Sequence, residues 1–255
     1  MNIEKGFSIN GVSKRYDIVV FNQIGKVNIL VECKSFKQKI LNNHFDQIMR
    51  YNIELKSKVE EYGVAIIPSV LDYDEIKAMN DGMWNTLEHI TKNFETPIKR
   101  NKKDTYKEIY KLFPNHSMLI QHYSIGHAQF IWDIRQNNKI CDVFSKFWKV
   151  EKEDLICSFD AASWHMPHEI TNRGFFRKSW LHTDQSFKDS DFKCLQSWVT
   201  GYDVNPGDAT LTFLEKSHKY HKEFNDVFKI TDRDKQIAKK DWFKLENEEQ
   251  HEFFK

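Results

Sequence analysis

Apolar residues along the first third of the chain recur with two different periods. Tyr16-Asp17-Ile18-Val19-Val20-Phe21 and Val27-Asn28-Ile29-Leu30-Val31-Glu32-Cys33-Lys34 are β-branched runs separated by Asn22-Gln23-Ile24-Gly25-Lys26, which predicts a β-hairpin. From Asn43 the period lengthens. Phe45, Ile48, Met49, Ile53, Val59 and Tyr62 recur at three-to-four-residue steps over a polar background, so an amphipathic helix is expected, ending near Glu61. Gly63-Val64-Ala65-Ile66-Ile67-Pro68 then reads as a short strand stopped by proline. Leu71 to Ile76 opens a second helix with acidic residues at its start, running to about Lys92, and Thr96-Pro97 through Asp104 reads as a loop.

Beyond Ser117 the pattern is one of short strand-like runs: Met118 to Tyr123, Leu155 to Phe159, Lys193 to Val199 and Thr210 to Leu214. Helices are expected at about 137–149 and 232–254. Short strands separated by turn signals favour an antiparallel sandwich or barrel over a parallel sheet. The sequence contains no internal repeat and no low-complexity tract.

With 255 residues, 40% hydrophobic and 14% aromatic, the chain is long enough for one large or two small packed domains and too apolar for a disordered polymer. No apolar run approaches the ~20 residues of a bilayer span, and Met1-Asn2-Ile3-Glu4-Lys5 lacks a signal-peptide core, so a cytoplasmic protein with no membrane partner is expected. Cys33, Cys141, Cys157 and Cys194 form no metal-like spacing and read as free buried thiols. The net charge is +1, divided into +4 over residues 1–60 and −3 over the remainder. That excess permits contact with DNA without arguing for it.

Asp17 at the start of one hairpin strand and Glu32-Cys33-Lys34 at the end of the other would converge at one end of the hairpin. Two carboxylates can bind a hard divalent cation, and a lysine beside them can orient water for attack on a phosphodiester. By spacing alone, charged side chains on a solvated strand end are the commoner explanation. The wording is more specific: Lys14 to Phe21, Ile29 to Lys34 and Phe45 to Asn52 together resemble the N-terminal domain of type I restriction enzyme R subunits, of the PD-(D/E)xK nuclease superfamily. That resemblance covers about residues 1–56. It implies that Asp17, Glu32 and Lys34 hold Mg²⁺ and water, that Gln47 on the helix assists, and that Glu4 matches an upstream acidic position. The family's N-terminal helix is missing and its next strand is replaced by Gly63 to Pro68, so a truncated nuclease fold is expected.

Further on, Trp180-Leu181-His182-Thr183-Asp184-Gln185 places His182 and Asp184 two residues apart, on one face of an extended segment. Imidazole and carboxylate so placed are two thirds of the facial triad of non-haem Fe(II) oxygenases, although an isolated His-x-Asp is more often ordinary surface. Gly63 to Pro68 before an acidic helix, Gly126 to Gln136, Ser158-Phe159-Asp160, the Trp180 to Gln185 run, and Gly207-Asp208-Ala209-Thr210-Leu211 through Lys216-Ser217-His218-Lys219 follow in one order. Together they resemble the phytanoyl-CoA dioxygenase family of Fe(II)/2-oxoglutarate oxygenases over about residues 60–255. The resemblance implies His182 and Asp184 as iron ligands and Trp198 at the 2-oxoglutarate pocket, where a core aromatic is an equal reading. Gln129 and Arg135 are expected in structural hydrogen bonds in preference to a substrate mouth, and His218 and His221 are not assigned to iron.

In that family the third ligand is a later histidine, followed by an arginine for the distal carboxylate of 2-oxoglutarate. Here only His251 comes late, in a polar helical stretch, and no arginine follows Arg233. The expectation is therefore an α+β chain with two parts: residues 1–58, a partial nuclease-like hairpin plus helix, and residues 59–255, an incomplete double-stranded β-helix (jelly roll) with flanking helices that lacks its last strands. Its expected chemistry is Fe(II)/2-oxoglutarate-dependent hydroxylation of a small molecule, without sustained turnover in a chain cut short. The alternative is a Mg²⁺-dependent DNA endonuclease centred on the first part.

Overall fold

The computed structural model describes residues 18–22, 27–31, 55–112, 119–159, 161–171, 181–187, 192, 195–204, 213–231, 243–245 and 247–254. In chain order the strands are β1 (Ile18–Asn22), β2 (Val27–Val31), β3 (Leu119–Ile120), β4 (Ala162–Ser163), β5 (His182–Thr183), β6 (Gln196–Val199) and β7 (Phe243–Lys244). The α-helices are α1 (55–62), α2 (Tyr73–Ile90), α3 (Gln129–Arg135), α4 (Asn138–Trp148), α5 (His168–Thr171), α6 (His221–Phe228) and α7 (Glu248–Glu252). The chain divides into two compact units, Met1–Asp72 with Lys178–Lys255, and Tyr73–Arg177.

In the first unit β1 and β2 pair antiparallel, from Ile18 opposite Val31 to Asn22 opposite Val27. The other edge of β1 takes β6, also antiparallel, with Val19 opposite Trp198. A two-stranded hairpin is marginal by itself and leaves both edges open, so a third strand supplies what the hairpin lacks. The segments that carry the two sequence resemblances thus meet in one sheet, where the sequence predicted a hairpin and helix packed loosely. Gly63 to Pro68 was expected to join the oxygenase-like sheet. It forms no ladder with any described strand, yet Ala65 and Ile67 are buried while Val64 and Ile66 are half-buried. It packs with the period of a strand without pairing as one.

Helix α1 ends in a left-handed glycine cap. Gly63, at φ 79°, donates its N–H to the Val59 carbonyl at 3.1 Å. Two of the remaining terminal carbonyls are taken from far along the chain. The His218 Nε2 atom lies 2.9 Å from the Glu60 oxygen, and the Lys216 N–H donates to Tyr62 at 2.9 Å. The Lys216 ammonium also lies over the Tyr62 ring, 5.3 Å from its centre. A β-carbon on residue 63 would stand 2.6 Å from His218 Nδ1, so glycine is required by the backbone angle and by space alike.

The core of this unit is aromatic. Phe224 of α6, fully buried, stacks on Phe187 at 4.0 Å between ring centres and meets Phe243, Phe253 and Phe254 at 5.3–5.8 Å. Ile230 and Leu245 complete the buried group. The final helix α7 starts from an Asn247 cap, whose side-chain oxygen accepts from the Gln250 N–H at 2.9 Å, and so aims Phe253 and Phe254 at Phe224.

The second unit is built mainly of helices. Gly82 lets α2 and α3 approach, since a β-carbon there would fall 2.5 Å from that of Phe130. Asn137 caps α4 through the N–H groups of Lys139 and Ile140, and its amide donates to Glu75 at 2.8 Å, while Lys139 pairs with the same carboxylate at 2.6 Å. Of the strand-like runs predicted between 117 and 214, Met118 to Tyr123 gives β3 and Lys193 to Val199 gives β6, β4 and β5 form outside those runs, Thr210 to Thr212 lie outside the described residues, and helices α3, α4 and α5 come between β3 and β5 in the chain. The run Leu155 to Phe159 is irregular, with Leu155 half-buried, Ile156 98% exposed and the Phe159 ring against His127 and Trp132. Strand propensity acts only where a partner edge is in register. The free-thiol reading also needs adjustment: Cys141 is half-buried, with its thiol pKa pushed up by burial, whereas Cys157 is exposed. Cys33 and Cys194 lie outside the described residues.

Between α2 and a 3₁₀ helix at Lys103–Leu112 the predicted loop is pinned by hydrogen bonds. Thr91, fully buried, donates to Leu87 O and accepts from Ile98 N, and Tyr106 donates to Arg100 O at 2.7 Å. Arg100 reaches back to α2, bonding Glu88 through its backbone N–H (2.8 Å) and guanidinium, and Asn85 and Asp81 through the guanidinium. Burial pushes the Glu88 carboxyl up, but its bonds from Arg100 outweigh that and leave it below the ordinary range.

Two predictions come from these anchors. A carboxyl with a lowered folded pKa contributes stability that is fully present above the unfolded value near 4.5 and is lost as pH falls through the folded value. Arg100→Ala should therefore lower stability at pH 7 by about 1–2 kcal/mol and flatten the decline below pH 4.5, read from thermal melts across pH; an unchanged acid limb would refute the Glu88 account. Gly63→Ala should cost about 1–3 kcal/mol, measured by denaturant titration. That cost should shrink in a His218→Ala background, and an equal cost in both would show that the clash with His218 is not what residue 63 avoids.

Candidate metal centre

Strand β5 is held by β7 in a short antiparallel pair, His182 opposite Lys244 and Thr183 opposite Phe243, and Leu245 N–H donates to Leu181 O at 2.9 Å. After Thr183 the chain bends, and the Thr183 hydroxyl donates across the bend to Gln185 O at 2.7 Å. Beyond it Gln185, Ser186 and Phe187 are buried. His221, fully buried on α6, places its Nε2 atom 3.1 Å from Ser186 O and stacks on the Phe187 ring at 4.5 Å. The segment is thus fixed at both ends, by a strand pair before the bend and by the aromatic core after it.

Between these anchors His182 Nε2 and Asp184 Oδ1 lie 3.3 Å apart, with side chains 28% and 32% exposed. The pair therefore faces the same way, as the i, i+2 spacing predicted. Two ligands in adjacent positions on bonds of about 2.1 Å are separated by roughly 3.0–3.4 Å, so the observed distance fits a shared ion as well as a His–Asp ion pair. One nitrogen and one oxygen donor suit iron or zinc better than calcium or magnesium. No group of three or more His, Cys, Asp or Glu side chains placed to hold a metal occurs among the described residues.

Other predicted positions fall as follows. Trp198 is half-buried on β6. His218 and His221 lie buried against the backbone oxygens of Glu60 and Ser186, which are structural placements. His251 is half-buried on α7. Gln129 donates to Asp133 at 2.8 Å and Arg135 to Gly126 O at 2.6 Å, the structural bonds expected of them. Asp17, Glu32, Lys34 and Gln47, with Glu4, lie outside the described residues. Sequence reasoning assigned His218 and His221 no part in positioning the His182 segment or capping α1; a histidine that bonds a distant backbone carbonyl has no sequence signature.

Residues 1–64 match the family model of the type I restriction enzyme R protein N terminus (HSDR_N). The N-terminal segment is restriction-endonuclease-like, and the match runs past the expected limit of 56 to include all of α1 and its Gly63 cap. No curated protein and no solved structure matches the chain. None of the comparisons supports the phytanoyl-CoA dioxygenase resemblance of the remainder. No helix among the described residues is long and apolar enough to cross a membrane.

Proposed function

We propose that the chain joins a restriction-nuclease-like N-terminal segment to an Fe(II)/2-oxoglutarate-dependent dioxygenase-like site that acts on a small molecule. The observation that carries this reading is the convergence of His182 and Asp184 at 3.3 Å on a braced strand end. Bound iron would supply oxidative decarboxylation of 2-oxoglutarate and hydroxylation of a C–H bond. The chain's own residues do the positioning. His182 offers a ring nitrogen from β5, Asp184 an oxygen from the bend, and the Thr183 hydroxyl bond to Gln185 holds the bend that aims the carboxylate. Trp198 serves in this reading as an apolar wall of the co-substrate pocket, and β5 with β7 as one strand pair of a double-stranded β-helix.

Anaerobic titration of the metal-free protein with Fe(II), followed by competition with a chromophoric chelator, tests the site. His182→Ala and Asp184→Ala should each weaken binding by at least about 10-fold. A wild-type protein that binds Fe(II) no better than both variants would end the oxygenase reading.

A second reading is favoured by the family match over residues 1–64. Here Asp17 and Glu32 hold Mg²⁺, Lys34 orients the attacking water and Gln47 assists, and the chain cuts DNA. Plasmid nicking that requires Mg²⁺ and disappears in Lys34→Ala is the expected result. Nicking that survives in that variant would place the activity elsewhere.

A further inference from the structure

Between Lys92 and Lys111 the second unit carries seven basic and three acidic side chains, and the structure sorts them into two groups. Arg100 is engaged by Glu88, Asp81 and Asn85, and Lys111 pairs with Glu108. Lys92, Lys99, Lys102, Lys103 and Lys107 are exposed, with no carboxylate in ion-pairing distance among the described residues. The exposed acidic side chains of this stretch are Glu95 and Asp104.

The backbone presents four of these lysines on a fixed frame. Lys99 and Lys102 face each other across a tight turn closed by the Lys102 N–H to Lys99 O bond at 3.0 Å. Thr105 locks that turn from below, donating to Lys102 O at 2.7 Å and accepting from Lys99 N at 2.9 Å. Lys103 and Lys107 follow on the exposed side of the 3₁₀ helix, whose Thr105, Tyr106, Ile109 and Leu112 are buried. Four residues at about 2 Å rise set them roughly 8 Å apart along the axis, which is far enough to meet separate phosphates. Like charges held close together repel, and no described carboxylate forms an ion pair with these four lysines.

We infer that this turn and 3₁₀ helix form a nucleic-acid backbone contact surface, with Lys99, Lys102, Lys103 and Lys107 neutralising phosphates of a duplex. Such contacts position a protein on DNA without reading its sequence. An anionic membrane is the poorer partner, because the aliphatic side chains of the segment, Ile98, Ile109 and Leu112, are buried and leave Tyr110 as the exposed ring, too little to anchor an interfacial helix. The surface is built from residues other than His182, Asp184 and those of the nuclease-like segment, and binding to it needs neither iron nor Mg²⁺.

The test is fluorescence anisotropy of the full chain with a labelled 30-base-pair duplex, in EDTA, over a series of salt concentrations. Each lost phosphate contact should make the slope of log K against log salt shallower by about 0.9. A variant with Lys99, Lys102, Lys103 and Lys107 all changed to Gln should therefore lose about 3.6 units of slope, and more than 10-fold in affinity at low salt. A control with Lys219→Gln, Lys222→Gln and Lys229→Gln, also exposed, should retain most of the wild-type slope, and circular dichroism melts should show both variants folded. Wild-type slope in the quadruple variant, an equal loss in the control, or no duplex binding by the wild type would each overturn the inference. So would binding to phosphatidylserine vesicles with none to DNA. EDTA keeps this outcome distinct from the nuclease reading, which concerns cleavage.

Discussion

The helix that ends at residue 62 leaves carbonyl oxygens that must find donors, and the way they do so joins the two ends of the first unit. Gly63 closes one by adopting a left-handed angle; His218 and Lys216 close two more from more than 150 residues away. Only a residue without a β-carbon leaves room for the His218 ring, so the cap and the long-range contact are one constraint. The family match for the N-terminal segment ends at residue 64, just past this cap. The helix of that segment is thus finished by the other part of the chain.

The same stretch of chain continues into α6 and supports the candidate metal centre. His218 turns toward α1, and three residues on, His221 turns toward the segment of His182 and Asp184. Between His221 and Phe224 the Phe187 ring is stacked on both, so the backbone just after Asp184 is gripped by aromatic packing. A site for a metal or for proton transfer requires this sort of support, since ligands on an unbraced bend would move out of register. The partial exposure of the pair leaves room for a ligand and keeps the electrostatic cost of two polar groups low.

In the second unit the corresponding principle is satisfaction of a loop backbone by buried hydroxyls. Thr91, Thr105 and Tyr106 take carbonyls and amides that a wandering loop would leave to water. Arg100 anchors the loop to α2 through acidic and amide partners, and the remaining lysines are held outward on a defined surface. A loop pinned in this way and continued by a 3₁₀ helix holds its charges in fixed positions.

The hairpin runs, the end of the helix before Gly63, the helices Tyr73–Ile90 and Asn138–Trp148, the loop from Thr96 to Lys102 and the i, i+2 convergence of His182 and Asp184 were legible in the sequence, because each depends on period, on turn chemistry or on the alternation of side chains along an extended chain. Periodicity could not show that β6 would take the open edge of β1, that Gly63 to Ile67 would bury like a strand and pair with no described strand, or that Leu155 to Phe159 would form no strand. Those outcomes depend on which edges are vacant and in register, a property of the assembled structure. The sequence likewise left His218 and His221 unassigned to iron, and only folding decided that they bond the carbonyls of Glu60 and Ser186. Local patterns determine elements because neighbouring residues carry the signal; pairing, capping and bracing are decided by residues that meet only once the chain is packed.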